Sequence, residues 1–195
     1  MAIRAFAEAG PTLNRWGFVD TASKAALWIW AELRPGGQLL RVLTDGIAKI
    51  PAFLEDYAAL GNALLSVHSA TLELRWLPAV RALCDEMIER FWSEDDNAFY
   101  DTPRDGEKLI FRPRDPLDNA TPSGASLAAE LLLRAGHVFN NHRYSELALS
   151  SFERDGDAMM RFGPGFGRML SVVDRSLAPP LEVAIVGEPS DPRTR

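Results

Sequence analysis

Cysteine and histidine are scarce in this chain, and positive charge is in the minority. Cys84 is the only cysteine among 195 residues, so the chain can form neither an internal disulfide nor a thiolate metal site. The net charge of -6 argues against binding to nucleic acid, because a phosphate backbone requires clustered lysine and arginine. We expect no nucleic-acid partner and, from the cysteine usage, a reducing cytoplasmic location.

Long apolar runs are also missing. No stretch approaches the roughly 20 apolar residues that a membrane-spanning helix requires, and residues 1–10 include an acid where a signal peptide has an apolar core. We therefore expect a protein without membrane contact. The hydrophobic content of 47% suffices for one sizeable core. The expected organisation is one domain over residues 1–187 and a polar tail over residues 188–195.

Established catalytic motifs are absent as well. The sequence has no phosphate-cradling glycine loop, Rossmann fingerprint or Ser-His-Asp signature. His68, His137 and His142 do not have the spacing of metal ligands, and the acidic residues 94–96 do not form a calcium-binding loop pattern. The sequence predicts neither a metal nor a cofactor.

The apolar periodicity predicts a mainly helical protein. Expected helices cover residues 20–33, 53–70, 76–91, 121–139, a segment from about 143, and 166–177. Short strands are expected at residues 38–43, at 99–102 with 108–112 around a turn at 104–106, and at 181–186. Helices 53–70 and 121–139 are apolar nearly all round, which predicts inner positions, whereas helix 76–91 is amphipathic and should lie outside. Helical hairpins spaced too widely for a tetratricopeptide array predict an all-α, incomplete α/α toroid with short β-hairpins in its connections.

Two polar motifs open the predicted inner helices, at residues 49–58 and 118–126. Each has a proline near the first helical turn, where the missing N–H costs nothing. Because the inner helices of a toroid gather their N-terminal ends around one pocket, both motifs should face a single cavity.

Glu55 and Asp56 are the candidate catalytic residues of the first motif. Adjacent residues on a helix point about 100° apart, so only one of the two can face a cavity directly. They could transfer protons to and from a sugar, as paired carboxylates do in glycoside chemistry, or simply offset the helix dipole. Tyr57 could bind a ligand or pack in the core.

Asp118, Thr121 and Ser123 are the candidate binding residues of the second motif. They could orient a sugar, or they could cap the helix that follows. Arg112 just before them could clamp an acidic ligand group or pair with Asp115 or Asp118.

Three segments resemble the helical region of the spermatogenesis-associated, thioredoxin-domain-containing proteins of bacteria and animals. They are DGIAKIPAFLEDYA at residues 45–58, RPRDPLDNATPSGAS at residues 112–126 and PPLEVAIVG at residues 179–187. The resemblance implies a six-hairpin glycosidase-like toroid, similar to sugar 2-epimerases such as the N-acylglucosamine enzymes. It also implies a thioredoxin-like domain, but this chain has no Cys-x-x-Cys motif.

The resemblance implies acid–base chemistry on a carbohydrate, as epimerisation or glycosidic hydrolysis, although the three histidines have no clear counterpart among those of the epimerases. About seven predicted helices cannot close a twelve-helix ring, so a fragment or truncated relative is expected. The alternatives are a non-catalytic interaction module, which docks a thioredoxin-like domain or a second copy through exposed helix faces, and an inactive remnant.

Overall fold

The computed structural model describes residues 1–108 and 110–178, together with 181, 186 and 187. In this part of the chain the fold is mostly helical, as predicted for the all-α class. The helices are α1 (Ala2–Thr12), α2 (Trp16–Glu32), α3 (Leu54–Thr71), α4 (Trp76–Phe91), α5 (Gly124–Phe139), α6 (His142–Glu153), α7 (Gly156–Arg161) and α8 (Gly167–Leu177), with a single 3-10 turn at Gly163–Phe166. The strands are β1 (Leu40–Thr44), β2 (Ile47–Pro51), β3 (Trp92–Ser93) and β4 (Ala98–Phe99).

The helices form two rows. Helices α1, α3, α5 and α8 pack side by side in that order, and α2, α4 and α6 pack behind α1, α3 and α5 as their hairpin partners. Helix α3 contacts both α1 and α5, and α5 contacts both α3 and α8. The two central helices of the front row are therefore covered on most sides.

Burial follows this arrangement. Helices α3 and α5 have buried residues around most of their circumference, as their apolar sequences predict. Helix α4 buries one stripe that includes Val80, Cys84 and Met87 and exposes charged residues on the other side. The predicted inner and outer positions of these helices are confirmed. Burial raises the pKa of the Cys84 thiol, which is consistent with a packing role for this side chain.

The front-row helices run parallel. Along α3 and α5, Leu54 lies near Gly124, Gly61 faces Leu131, and Ser66 accepts a hydrogen bond from Arg134, so the positions advance together. Helix α8 continues the row in the same sense, because Arg168 near its start approaches Glu130 of α5 and Arg175 near its end acts electrostatically on Arg134, four residues further along α5. Consequently the N-terminal ends of α3, α5 and α8 lie at one end of the molecule.

The structure differs from the sequence-based prediction at several points in the N-terminal region. Helix α1 was not predicted, and α2 begins at Trp16, before the expected start at residue 20. The strand predicted at 38–43 is confirmed in its second half, but it pairs with β2 in an antiparallel hairpin that the sequence analysis did not include. Asp45 and Gly46 both have positive φ, at 52° and 73°, which suits the tight turn between twisted strands.

The second predicted hairpin is wrong in position. Among the described residues of 99–102 and 108–112 no strand pairing is present; instead β3 pairs with β4, and the acidic residues 94–96 lie in their turn. Asn97 supplies the left-handed conformation in this turn, with φ 48°. The strand expected at 181–186 and the tail at 188–195 fall largely or wholly outside the described residues.

Among the described residues, no helix combines the length and apolar character that crossing a membrane requires.

Candidate functional site

The long connection between β4 and α5, residues 100–123, lies over the N-terminal ends of α3 and α5. The Leu54 N–H donates to the Asp101 carbonyl at 3.1 Å, and the Asp101 N–H donates to the Pro113 carbonyl at 3.0 Å. These bonds satisfy a backbone donor that the first turn of α3 leaves without a helical partner. They also fix Asp101 beside the start of α3.

Asp118 joins the starts of α5 and α8. One carboxylate oxygen accepts from the Ser123 N–H at 2.8 Å. The other accepts from the Arg168 and Met169 N–H groups at 2.8 and 3.2 Å. A carboxylate at two helix starts is favoured by both helix dipoles. The structure therefore places Asp118 as a cap that holds two front-row helices together.

The starts of α3 and α5 approach each other closely at Gly124. A Cβ atom at this position would lie 3.2 Å from Leu54 Cδ2 and 3.3 Å from the Glu55 backbone nitrogen. Glycine therefore permits the contact that brings the two polar motifs together. This part of the sequence-based prediction is confirmed.

A cleft of about 380 Å³ opens at this junction. Its size falls within the usual range of small-molecule sites, about 300–1,000 Å³. The cleft is lined by Phe53, Glu55, Asp101, Thr102, Pro113, Asp115, Leu117, Asn119, Thr121, Pro122, Ser123 and Gly124. Of the seven predicted site residues, Glu55, Thr121 and Ser123 line it.

Asp56 is turned away from this cleft. Its carboxylate accepts from the Phe53 N–H at 3.0 Å and pairs with Arg41 at 3.0 Å, and it lines a different cavity beside Leu60. Burial raises the pKa of Asp56, although the hydrogen bond from Phe53 and the charge of Arg41 oppose that change. The structure thus places Asp56 in the first turn of α3 as a residue that offsets the helix dipole, the alternative that the sequence left open, and adds a hydrogen bond that caps the helix.

Tyr57 and Arg112 are also placed outside the cleft lining. Tyr57 is fully buried, and its hydroxyl accepts from Arg90 at 2.9 Å. Arg112 donates to the Thr102 carbonyl at 2.6 Å, and its guanidinium lies 4.4 Å from the centre of the Tyr100 ring. Arg112 therefore braces the loop that covers the helix ends, whereas Tyr57 packs against Phe91 of α4. Arg112 pairs with neither Asp115 nor Asp118 among the described contacts.

Ser123 makes its hydrogen bonds within the helix start. Its hydroxyl accepts from the Ser126 N–H at 3.1 Å and donates to the Ser126 hydroxyl at 2.9 Å. Ser123 is thus the N-cap of α5, which begins at Gly124, three residues after the helix start expected at residue 121. Thr121 is exposed at the mouth of the cleft.

Two carboxylates of the cleft, those of Asp101 and Asp115, were not among the predicted site residues. Asp101 accepts from the Asp115 N–H at 2.9 Å. Burial raises the pKa of Asp101, and the negative charges of Asp115 and Glu55 raise it further, while the Asp115 N–H and Arg114 act in the opposite direction. No local motif marks these residues, because the fold alone brings Asp101 beside Glu55.

Glu55 is the third carboxylate of the cleft. Its side chain is 45% exposed and forms an ion pair with Arg41 at 2.7 Å. In the described part of the chain, no group of three or more histidine, cysteine, aspartate or glutamate residues is placed to hold a metal ion. The cleft therefore combines carboxylates with hydroxyl and amide groups, without a metal cluster in that part.

A second polar region lies between the front-row helices, and the sequence analysis missed all of it. The Arg4 guanidinium of α1 donates two hydrogen bonds to the Glu130 carboxylate of α5, at 2.8 and 2.9 Å. Arg134 of α5 donates to Asn62 and Ser66 of α3 at 3.0 and 3.1 Å. We call these five residues the inner network. Each group has partners, as buried polar groups require.

The pKa values follow from these contacts. Burial favours the neutral form of Glu130, but the hydrogen bonds and charge of Arg4 outweigh it and lower the pKa of Glu130. Burial and the nearby charge of Arg4 lower the pKa of Arg134 to about 10. The inner network thus concentrates positive charge around one buried carboxylate.

Comparison with known proteins gives one recurring relative. The chain is 27% identical to mouse spermatogenesis-associated protein 20 over 145 residues, which are 73% of this chain and 18% of that protein. It is 35% identical to the human protein of that name over 92 residues, or 47% of this chain and 12% of that protein. The rat protein is 23% identical over 206 residues, covering this whole chain and 26% of the relative.

The chain therefore spans about a quarter or less of the length of these relatives. No protein-family model matches it.

Proposed function

We propose that the chain is a member of the spermatogenesis-associated protein 20 family and that its cleft binds a neutral carbohydrate. The similarity to the mouse, human and rat proteins supports the family. The parallel front row with hairpin partners behind it supports a partial α/α toroid of the six-hairpin glycosidase type. A cytoplasmic location stays a prediction.

The polar and apolar residues that line the cleft support a neutral carbohydrate as its ligand. Its three carboxylates accept hydrogen bonds from hydroxyl donors, and Asn119 and Thr121 can both donate and accept. No lysine, arginine or histidine is among the described lining residues, so the cleft disfavours an anionic ligand. A neutral sugar provides many hydroxyl donors together with apolar C–H faces for Phe53 and Leu117.

The same residues favour acid–base chemistry if the bound sugar reacts. Asp101 has a raised pKa and is suited to hold a proton, whereas Glu55 lies beside the Arg41 guanidinium and is suited to accept one. The catalytic proposal therefore keeps Glu55, adds Asp101 and omits Asp56. Thr121 and Ser123 remain binding residues in it.

The test is thermal unfolding with a panel of neutral mono- and disaccharides. A ligand that binds only the folded state raises the melting midpoint. We expect one sugar to raise it in a saturable way, and we expect Asp101→Asn and Glu55→Gln to abolish that rise. The exposed acid Asp95, in the turn between β3 and β4, provides the matched control Asp95→Asn.

No rise with any sugar would contradict the carbohydrate proposal. An undiminished rise in both cleft variants would place the sugar elsewhere on the molecule.

Exposed aromatic residues support a second candidate function, that of an interaction module. Trp16 and Trp28 of α2 are 56% and 53% exposed, and Leu13, just before α2, is 60% exposed. Large exposed apolar side chains in one helical region are typical of a docking surface. The occupant implied by the family resemblance is a thioredoxin-like domain.

If this surface also supports self-association, Trp28→Ser should abolish a concentration-dependent increase in mass measured by light scattering. A constant mass of the unaltered chain would argue against self-association.

A further inference from the structure

Another cavity, of about 220 Å³, lies along the front row. Its lining includes Arg4, Glu8, Asn62, Pro122 and Arg168. We call it the front groove. Pro122 lines both the cleft and the front groove, so the two cavities adjoin. The charges that distinguish the groove belong to residues that do not line the cleft.

The front groove has more positive than negative charge. Together with the inner network beneath it, it contains three arginines, Arg4, Arg134 and Arg168, and two glutamates, Glu8 and Glu130. The cleft next to it contains carboxylates and no described cation. The two adjoining cavities are therefore opposite in charge.

Most charged groups of the groove are already engaged. Arg4 uses both terminal nitrogens on Glu130 and its Nε on Glu8, at 2.7 Å. The Glu8 carboxylate also accepts from the Ser66 hydroxyl at 2.9 Å. Arg134 is held by Asn62 and Ser66. These residues are committed to packing α1, α3 and α5 together.

Arg168 differs from them. Its side chain is 35% exposed, and its ion pair with Glu130 is long, at 3.5 Å. Its backbone is fixed, because Asp118 accepts from the Arg168 N–H and anchors the start of α8. A planar guanidinium has five N–H donors, and one long contact leaves most of this capacity for a ligand. The fold thus presents a well-anchored arginine to the groove.

We infer that the front groove binds a small anion carrying a carboxylate or phosphate group, with Arg168 as its principal ligand-binding residue. The excess positive charge of the groove attracts such a group, and the arginine fork matches either planar or tetrahedral oxygens. The groove is wide enough for a group of this size. Arg4, whose side chain is 19% exposed, also lines the groove and adds positive charge to it.

Arg134 of the inner network does not line the groove, but its electrostatics agree with the inference drawn from the geometry of Arg168. Its pKa is lowered by burial and by the neighbouring positive charge of Arg4, and Arg175 acts in the same direction. An anion in the groove would partly compensate this repulsion. Glu130 and Glu8 supply the only opposing charges among the described contributors to Arg134.

The experiment is calorimetric titration of the full chain with inorganic phosphate and, separately, with acetate, at constant ionic strength set by sodium chloride. We expect saturable binding of at least one of them. Binding of phosphate alone, acetate alone or both identifies which oxygen geometry the groove accepts. Arg168→Gln should weaken this binding at least tenfold. Arg143→Gln, on the exposed side of α6, is the matched control and should not change it.

An NMR measurement on the unaltered chain tests the inference even if the Arg168→Gln variant does not fold. The Nε–H resonance of Arg168, assigned with Arg168→Lys, should shift on titration with phosphate or acetate along the same saturation curve as the calorimetry. Absence of saturable binding by both anions, or equal binding by Arg168→Gln and the unaltered chain, would overturn the inference.

Discussion

The two polar regions of this molecule differ in what their charged groups do. In the cleft, Glu55 and Asp101 lie at helix ends and beside a loop, and their oxygens face an open space. In the inner network, Arg4 and Glu130 saturate each other between helices, and Glu130 is 3% exposed. The carboxylates of the cleft can therefore accept hydrogen bonds from a ligand. The inner network is suited to fix how the helices pack.

Removal of a network charge should have the largest effect on stability. Breaking one partner of a buried ion pair costs about 3–5 kcal/mol, because the other charge stays buried without compensation. Glu130→Gln should therefore lower the free energy of unfolding by about 3 kcal/mol. The cleft variant Glu55→Gln should change it by less than about 0.5 kcal/mol. Urea unfolding of both variants makes the comparison, and equal losses would remove the distinction between the regions.

Asp118 should have an intermediate effect, since it caps two helices beside the cleft. A single N-cap contributes about 1 kcal/mol, so Asp118→Ala should lower the free energy of unfolding by about 2 kcal/mol. Asp118→Asn should recover part of this, because the amide oxygen still accepts a hydrogen bond. The neighbouring exposed Asn119 offers the control Asn119→Ala. Equal stability of the two alanine variants would contradict the cap.

Gly61 tests the packing that holds both regions in place. An added Cβ would collide with the Leu131 side chain, which is fully buried on α5. Gly61→Ala should therefore destabilise the chain by about 1–2 kcal/mol through overpacking. Gly17 on α2 has open space around it, so Gly17→Ala should stabilise by about 0.5 kcal/mol. Denaturant midpoints of the two variants should move in opposite directions; movement in the same direction would argue against close α3–α5 packing.

The two regions should also respond oppositely to pH, in a smaller effect. The lowered pKa of Glu130 gives stability that is present above its ordinary value of 4.5 and lost as the pH falls through the folded value. The raised pKa of Asp101 gives stability that is present below its ordinary value of 3.8 and lost as the pH rises through the folded value. Urea unfolding across acidic pH should show that Glu130→Gln reduces the loss at low pH and Asp101→Asn reduces the loss at higher pH. Unchanged slopes would contradict these assignments.

Sequence reasoning succeeded where the signal was local. The all-round apolar character of α3 and α5 predicts their inner positions, but Pro51 and Pro122 lie three and two residues before the first residues of these helices and not in their first turns as expected. Gly124 lies in the second motif, and its close contact with α3 follows from the same arrangement. These features depend on neighbouring residues and on helical periodicity, which a single sequence contains.

The side chains were harder to place than the helices. Asp56 and Glu55 are adjacent and chemically similar, and both pair with Arg41, so the hydrogen bond from the Phe53 N–H to Asp56 is what separates a cap from a cleft residue. Glu130 lies within an apolar helix, and its partner Arg4 is 126 residues away. No spacing rule connects such residues. Long-range pairing therefore hid this buried ion pair.

The most direct test of the central claim is a crossed experiment on the two regions. The melting midpoint is measured for the unaltered chain, Glu55→Gln and Glu130→Gln, each with and without the sugar that binds best. We expect Glu55→Gln to keep the midpoint and lose its rise with sugar, and Glu130→Gln to have a lower midpoint and keep the rise. The opposite pattern, or loss of the rise in Glu130→Gln alone, would contradict a ligand cleft separate from a stabilising network.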